Sequence, residues 1–212
     1  MQYCSRVVEP GLRERKKQRT RRALFEAALR LFGERGYEAT TVAEIAAAAE
    51  VSTRTFFSYF PSKEDVMFPD VKERITLGLA IVAEPEAGER PIDVLVRAGH
   101  AMSGLLGEDL AVSMRTIADR TRLIRTVPAL QAHQLRLMHD SQRRLTEALL
   151  AAYPGLDALD AQVVVSVLMV AIQSALTLAI ETGQSARKTM AMIDHAVELV
   201  ERGLGSVDLV RV

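Results

Sequence analysis

Apolar residues recur along most of this chain with the spacing of an α-helix, whose faces repeat about every 3.6 residues. Between residues 15 and 32 they share one face, and Gly33 and Gly36 then provide a stop signal. A longer segment is predicted from Ser62 to about Val82. Further helical segments cover residues 92–106, 110–125, 128–153, 158–182 and 186–202. The pattern predicts an all-α fold of about nine helices.

Two short helices between these longer ones carry clear start and stop signals. Thr41 precedes residues 42–49, and Glu44 three residues later completes a capping box, which satisfies two backbone N–H groups at a helix start. Ser52 occupies the same N-cap position before residues 53–60, and Pro61 ends that helix. Two short capped helices around a turn of roughly three residues are typical of a helix-turn-helix.

The most apolar segment, residues 158–182, is long enough to raise the question of a membrane span. No Lys/Arg cluster or aromatic belt flanks it, and polar side chains interrupt it. We therefore predict a helix buried on several sides in a soluble bundle, without membrane association. The interrupting residues are Gln162, Ser166, Gln173, Ser174 and Thr177.

Composition agrees with a helical protein of the cytoplasm. The chain is 49% hydrophobic but only 5% aromatic, and β-branched and aromatic residues are the ones that favour strands. The single cysteine, Cys4, excludes an internal disulfide and any multi-thiolate metal site, so no metal or other cofactor is expected. The N-terminus lacks the apolar stretch of a secretory signal and runs directly into RERKKQRTRR.

The formal net charge of zero hides an asymmetry between the two ends of the chain. Residues 1–63 hold 12 Lys/Arg against 7 Asp/Glu, whereas residues 64–212 hold 15 against 20. Residues 13–22 alone carry seven positive charges and one negative. A basic head on an acidic body suggests a polyanionic partner at one end, although a solvated run of charges has the same composition.

The second short helix contains the residue types that read a DNA major groove. Thr53, Arg54 and Thr55 occupy its first turn, where early residues of a recognition helix meet base edges and phosphates. Threonine can bond to a phosphate or a base and contact the thymine methyl group. Arginine can bond a guanine edge bidentately, and it contacts phosphates at least as often.

Four aromatic residues divide the same helix into two faces. Phe56 and Phe60 lie four residues apart and should face the core, which leaves Phe57 and Tyr59 pointing outward. Two outward aromatic rings indicate a partner. The alternative is that all four rings pack into the core of a small domain.

Basic residues on both sides of the two short helices are candidates for phosphate contacts. Lys63 lies at the start of the next helix, and Thr41 is at a helix N-terminus, where free N–H groups attract phosphate. Residues of the basic stretch suit phosphate or minor-groove contact from a flexible arm. They are Lys16, Lys17, Arg19, Arg21 and Arg22.

Residues 19–68, RTRRALFEAALRLFGERGYEATTVAEIAAAAEVSTRTFFSYFPSKEDVMF, resemble the DNA-binding domain of bacterial TetR-family regulators throughout. The motifs that carry the resemblance are LF…GY, TTV, IA, VS and YFPSKE. One departure is Glu50, where the family usually has glycine before Val-Ser; if the turn needs a positive φ, this residue costs on the order of 1 kcal/mol.

The resemblance implies a homodimer that binds double-stranded operator DNA through two recognition helices. It implies a DNA-binding domain over residues 1–63 and a helical effector-binding and dimerisation domain over residues 64–212, joined by a long helix. The positions assigned to DNA contact are Lys17, Arg21, Thr41, Thr53, Arg54, Thr55, Phe57, Tyr59 and Lys63.

Dimerisation is expected through the last two helices, residues 158–182 and 186–202, because the first needs burial on more than one side. Packing within one chain would satisfy the same pattern. The expected role is a repressor released from its operator by a small apolar or amphipathic ligand. The alternative is an architectural DNA-binding protein without an effector.

Apolar and methionine side chains of the central helices are candidates for an effector pocket, since thioethers adapt to varied ligands. Methionine at helical spacing also occurs in ordinary cores. The proposed lining is Met102, Leu106, Met114, Ile117, Met138, Met169 and Gln173.

The segment MRTIADRTRLIRTVPALQAHQL resembles a subgroup that includes mycofactocin-associated regulators, for which acyl-CoA effectors are implied. Basic residues in it suit the phosphates of a CoA, or form a solvated helix face. They are Arg115, Arg120, Arg122 and Arg125.

Enzyme signatures are missing from the sequence. The four histidines are scattered, and no HExxH, nucleophile elbow, glycine-rich phosphate loop or cysteine pair occurs. The chain is therefore not expected to be an enzyme.

Overall fold

The computed structural model describes the backbone of residues 11–110 and 114–204, and their side chains outside residues 12, 14, 105–110, 114–115 and 204. Within these ranges the fold is all-α, as predicted, with nine α-helices and one short 3-10 turn at Asp65–Met67. The helices are α1 (Leu12–Arg35), α2 (Val42–Ala48), α3 (Thr53–Tyr59), α4 (Val71–Ala83), α5 (Pro91–Leu110), α6 (Met114–Thr126), α7 (Pro128–Ala152), α8 (Ala158–Glu181) and α9 (Ala186–Leu204).

The chain folds as two compact units, Met1–Pro69 and Asp70–Val212, here called the N-terminal and C-terminal units. The division falls six residues after the boundary expected from the sequence. It falls there because the 3-10 turn packs against α1 and buries Val66 and Met67 completely. The residues after Lys63 therefore complete the core of the N-terminal unit before the second unit begins.

The prediction of one continuous helix from Ser62 to Val82 is wrong. The expected cap is present, since Ser62 Oγ accepts a hydrogen bond from the Asp65 backbone N–H at 3.3 Å. It starts only the 3-10 turn, and Phe68 leaves the helical region with φ −127° and ψ 52°. Pro69 explains the break, because proline disfavours helical geometry in the residue before it and has no N–H to donate.

The basic stretch also differs from the flexible arm that the sequence suggested. Helix α1 begins at Leu12, so Arg13 and the basic residues after it occupy its first three turns. The helix passes through Gly33 without a break and ends at Gly36, whose φ of 85° suits glycine. The positive charges are thus presented from a regular helix.

The C-terminal unit is a helical bundle in which α8 packs against α9 and α7, and α4 packs against α5 and α7. Its core is built from aliphatic side chains, among them Val82, Leu95, Leu149, Val164 and Val197. At Gly78 in α4, a Cβ atom would lie 2.5 Å from the Met102 sulfur, which shows how closely α4 approaches α5 there.

The turn between α2 and α3 contains a residue in the left-handed region. Glu50 has a φ of 56°, the only positive φ at a non-glycine residue in the described ranges. The backbone needs this conformation because the helix ends in a Schellman motif, in which Val51 N–H donates to Ala46 O at 2.9 Å and Glu50 N–H to Ala47 O at 3.0 Å. The turn therefore holds a residue with a Cβ where glycine fits without strain.

Replacing Glu50 with glycine is expected to raise the free energy of unfolding by about 1 kcal/mol, because glycine adopts this φ without a clash at Cβ. Glu50→Ala is the matched control, since it removes the carboxylate but keeps the Cβ. Denaturant unfolding of the three proteins, followed by circular dichroism, measures the difference. An equal gain in both variants would contradict backbone strain and implicate the charge instead.

Candidate nucleic-acid interface

Helix α2 starts with the capping box that the sequence predicted. Thr41 Oγ1 accepts the Glu44 backbone N–H at 3.2 Å, and Glu44 Oε2 accepts the Thr41 backbone N–H at 2.8 Å. The Glu44 carboxylate accepts from the Thr41 backbone N–H and also from the Thr41 hydroxyl, at 2.8 Å each, and these two bonds, with a smaller effect of Arg35, lower its pKa below the ordinary value of 4.5. Thr41 is exposed, so its side chain stands at the surface beside the first turn of α2.

Helix α3 starts with a simpler cap that leaves two side chains free at its surface. Ser52 Oγ accepts the Thr55 backbone N–H at 3.1 Å, and the two hydroxyl groups are 2.9 Å apart. Thr55 is consequently half-buried with its hydroxyl engaged locally, whereas Thr53 and Arg54 are exposed. The first turn of α3 thus presents a hydroxyl and a guanidinium to solvent.

The aromatic residues of α3 divide between core and surface. Phe56 and Phe60 are 0% and 2% exposed, with ring centres 5.8 Å apart, which confirms their assignment to the core. Phe57 is 53% exposed, so the alternative in which all four rings are buried is wrong. Tyr59 is half-buried, less outward than the sequence suggested.

Two cations that were assigned to DNA contact are instead turned toward aromatic rings. The Arg21 guanidinium lies 5.6 Å from the centre of the Phe60 ring and is half-buried. Lys63 Nζ lies 3.9 Å from the centre of the Tyr37 ring. Lys17 differs from both, because its side chain is exposed on α1.

The ammonium of Lys63 joins the end of the helix-turn-helix to the loop between α1 and α2. Its Nζ donates to Tyr37 O at 2.7 Å and to Thr40 O at 2.9 Å. Tyr37 in turn donates its hydroxyl to Glu64 Oε1 at 2.6 Å, and burial together with this carboxylate raises the pKa of the Tyr37 phenol. The sequence did not indicate Tyr37 and Thr40 as partners of Lys63. They lie 26 and 23 positions before it in the chain, and only the fold brings them close.

An open groove of about 1320 Å³ runs between α1 and the end of α2. Basic side chains of α1 and a set of alanines line it, with Glu50 at the turn. Such a surface attracts a polyanion more strongly than the average composition of the chain suggests. The basic lining residues are Arg13, Arg15, Lys16, Arg19 and Arg30.

The residues assigned to an effector pocket do not share one environment. Met102, Ile117, Met138 and Met169 are half-buried in the C-terminal unit. Gln173 is exposed on α8 and donates to Thr177 Oγ1 at 3.3 Å, so the structure places it at the surface of the chain. The side chains of Leu106 and Met114 lie outside the described residues.

Two of the four arginines suggested for CoA phosphates pair with acids, and the side chain of Arg115 lies outside the described residues. Arg122 pairs with Asp119 and Arg125 pairs with Glu181.

Over the side chains that the structure describes, no group of three His, Cys, Asp or Glu residues is placed to hold a metal ion. Among the described helices, only α8 is long and apolar enough to cross a membrane, a test that core helices of soluble proteins also pass.

Comparison with known proteins identifies the family of the N-terminal unit. A model of the bacterial regulatory proteins of the tetR family matches residues 24–68, which run from α1 to the 3-10 turn. The helix-turn-helix transcriptional regulator TcmR of Streptomyces glaucescens is 40% identical over 154 residues, or 70% of this chain and 66% of TcmR. The chain belongs to the TetR family of DNA-binding transcriptional regulators.

A second relative is the transcriptional regulator HbdR of Aromatoleum sp. (strain CIB), 34% identical over 93 residues, which cover 43% of this chain and 39% of HbdR. This TetR-family chain thus spans about two thirds or less of the length of these two curated relatives.

The TetR-family fold extends over both units. SmeT, the repressor of a Stenotrophomonas maltophilia multidrug efflux pump, has been solved in complex with triclosan. That structure matches with a TM-score of 0.53 at 17% identity, over 87% of this chain and 90% of SmeT. At this identity the likeness shows a shared helical architecture.

The capping box at the start of α2 predicts a pH dependence of stability. Because the folded pKa of Glu44 is lowered, its stabilising effect is complete above about 4.5 and is lost as the pH falls through the lower folded value. Glu44→Gln keeps the shape of the cap without the charge. The difference in unfolding temperature between wild type and variant should therefore shrink as the pH is lowered from about 6 to about 3.

Thermal unfolding at a series of pH values measures this difference. Glu34→Gln, at an exposed glutamate of α1 whose carboxylate lies 3.7 Å from Arg30, is the matched control for loss of a surface charge. A difference for Glu44→Gln that stays constant with pH would contradict a charged cap.

Proposed function

We propose that this TetR-family regulator represses transcription as a homodimer bound to operator DNA and is released by a small, mainly apolar ligand. The observation that carries the proposal is the surface of α3. Its first turn exposes Thr53 and Arg54 and its next turn exposes Phe57, while Phe56 and Phe60 hold the helix on the core. A short rigid helix with this polar and aromatic surface suits a major groove.

Within this interface, the residues at the start of α3 are proposed to read the bases, and residues outside that turn to contact the DNA backbone. Arg54 suits a guanine edge, while Thr53 and the methyl group of Thr55 suit a thymine or a phosphate. Thr41, Tyr59 and Lys17 are proposed to contact the sugar-phosphate backbone. The basic groove on α1 adds attraction that does not depend on sequence.

Specific binding is tested by a band-shift titration with the DNA upstream of the protein's own gene. Arg54→Ala should cost about 1–3 kcal/mol of binding and relax the preference for one base pair, because a bidentate contact is lost. Lys72→Ala, which removes an exposed cation of the C-terminal unit, is the matched control and should leave affinity unchanged.

Scrambled DNA of the same length is included as a competitor in this assay. If it competes as well as the upstream region, operator recognition is refuted and an architectural, sequence-independent DNA-binding role is favoured. If Arg54→Ala binds every sequence as tightly as wild type, α3 is not the reading helix.

The dimer is proposed to form through α8 and α9. One face of α8 is buried in the chain, and the opposite face exposes apolar side chains three or four residues apart from residue 159 to residue 170, and again at Leu178 after the polar Ser174. An exposed apolar stripe of this kind marks an interface, and two such helices from each subunit make a four-helix contact. The stripe comprises Leu159, Val163, Val167, Val170 and Leu178, exposed by 39–69%, and Leu199 of α9 is 56% exposed.

Val170→Arg is expected to convert the dimer to monomers, because it places a charge in the middle of the stripe without disturbing the buried face of α8. Leu135→Arg is the matched control, since Leu135 is 67% exposed and belongs to α7, outside the stripe of α8. Analytical ultracentrifugation of both variants measures the effect. A dimer that survives Val170→Arg, with the same dissociation constant, would exclude this interface.

The effector is proposed to bind inside the C-terminal unit near Met102. Met102 is half-buried and its flexible side chain lies against Gly78 of α4, so a ligand can displace it without unfolding a helix. Two hydroxyl groups of the same unit, Ser103 Oγ and Thr146 Oγ1, are buried without a hydrogen bond among the described residues. Unsatisfied buried hydroxyls favour a ligand that carries a polar group on an apolar body.

An apolar ligand fits this unit better than an acyl-CoA does. The arginines of α6 that the sequence suggested for CoA phosphates include Arg122 and Arg125, which already pair with carboxylates. Triclosan, which is bound in the solved SmeT complex, is a precedent for a small aromatic ligand in this fold.

Repression is proposed to be relieved by a population shift toward a conformer in which the two recognition helices are no longer separated by one turn of DNA, about 34–36 Å. Like other regulators of DNA, the protein is proposed to act in the cytoplasm.

A further inference from the structure

Lys63 makes more contacts within the N-terminal unit than a lysine reserved for DNA would make. Its ammonium has three N–H groups, and two of them are donated to Tyr37 O and Thr40 O at 2.7 and 2.9 Å. The face of the Tyr37 ring lies 3.9 Å from Nζ, and the Phe32 ring lies 5.9 Å away. The side chain is half-buried, so these contacts lie in a partly desolvated site, where they are stronger than on an open surface.

The two carbonyl groups that accept these hydrogen bonds belong to the loop that sets the start of α2. Thr40 immediately precedes Thr41, the N-cap of α2. Thr40 is itself buried, its hydroxyl donates to Gly36 O at 2.8 Å, and its carbonyl oxygen accepts from Lys63. The position of the Thr40 carbonyl therefore determines where the α2 N-terminus points.

Lys63 also stands at the other end of the helix-turn-helix. It follows α3 by four residues, after Phe60 and Pro61, and Phe60 is anchored in the core. A bond from this position to Thr40 closes a loop of 23 residues that contains both α2 and α3. The bond thus limits how far the two helices can move relative to each other.

Given the operator-binding function proposed above, we propose that Lys63 is a positioning residue for DNA binding and not a phosphate contact. Its ammonium holds the α1–α2 loop against the end of α3, and this sets the mutual orientation of Thr41 and the recognition helix. The positive charge of Lys63 is stabilised by two backbone carbonyl groups and by the face of the Tyr37 ring.

The salt dependence of operator binding separates the two roles. Removing a lysine that neutralises one phosphate reduces the slope of log K against log[salt] by about 0.9 for each subunit. Removing a lysine that only positions the helices lowers affinity without changing that slope. Lys63→Met is therefore expected to weaken binding about tenfold at every salt concentration, with the wild-type slope.

Lys63→Gln gives a second, independent comparison. Its amide can still donate to one carbonyl of the loop, although it has no charge. A positioning role predicts that Gln recovers part of the affinity lost in Met and that both variants keep the wild-type salt slope. A phosphate contact predicts a reduced slope in both variants, because both lack the charge. Lys17→Met, at the exposed lysine proposed to contact the DNA backbone, is the matched control and should reduce the slope.

Hydrogen exchange of the free protein tests the same point without DNA. In Lys63→Met, and less in Lys63→Gln, the amides of residues 36–41 should exchange faster, while those of α7 and α8 stay unchanged. Unchanged exchange in the loop, or a reduced salt slope in both Lys63 variants, would overturn the positioning role. A wild-type protein that fails to prefer its operator would refute the proposed function, and the exchange result would still decide how Lys63 acts.

Discussion

The proposed DNA-reading surface depends on the burial of two phenylalanines. Helix α3 has only seven residues, too few to be stable by itself in water. Phe56 and Phe60 project from one side of it into a core that also contains Phe32 and Ile45, and both are almost completely buried. Their apolar area supplies the stability that the short helix lacks. Because one side of α3 is fixed in this way, Thr53, Arg54 and Phe57 are held on the other.

Charge in the N-terminal unit has two uses that composition alone does not separate. The basic side chains that line the groove of α1 attract a polyanion at long range. Arg21 and Lys63 instead lie against aromatic rings, and the two main-chain acceptors of Lys63 show that its charge stabilises the fold. A cation that has given up water for carbonyl oxygens and a ring face gains little from a phosphate in addition. Basic residues therefore attract a polyanion in the groove of α1, whereas Arg21 and Lys63 hold parts of the fold in position.

The C-terminal unit shows a related division along a single helix. Helix α8 is apolar on nearly all sides, yet only one side is covered by α9, α7 and their neighbours. The uncovered side repeats at helical spacing, which explains why hydropathy alone raised the question of a membrane. Under the proposed dimer, the second copy covers this side. The same unit contains the half-buried Met102 and the buried hydroxyl groups of Ser103 and Thr146, so the proposed dimer and the proposed ligand site both belong to it.

By itself, the sequence determined the all-α class, the two capped helices and their ends at Thr41, Ser52 and Pro61. These features are local, since a cap, a proline or a helical period acts within a few residues. The family resemblance drew attention to Glu50, where glycine is usual, and the structure supplied the positive φ and the Schellman hydrogen bonds there. The break before Pro69 is local too, although the pattern of apolar positions continued across it. Only the tertiary structure decided that Arg21 faces Phe60 and that Lys63 bonds to Tyr37 and Thr40. Those contacts join residues far apart in the chain, and no local pattern encodes which carbonyl a lysine will reach.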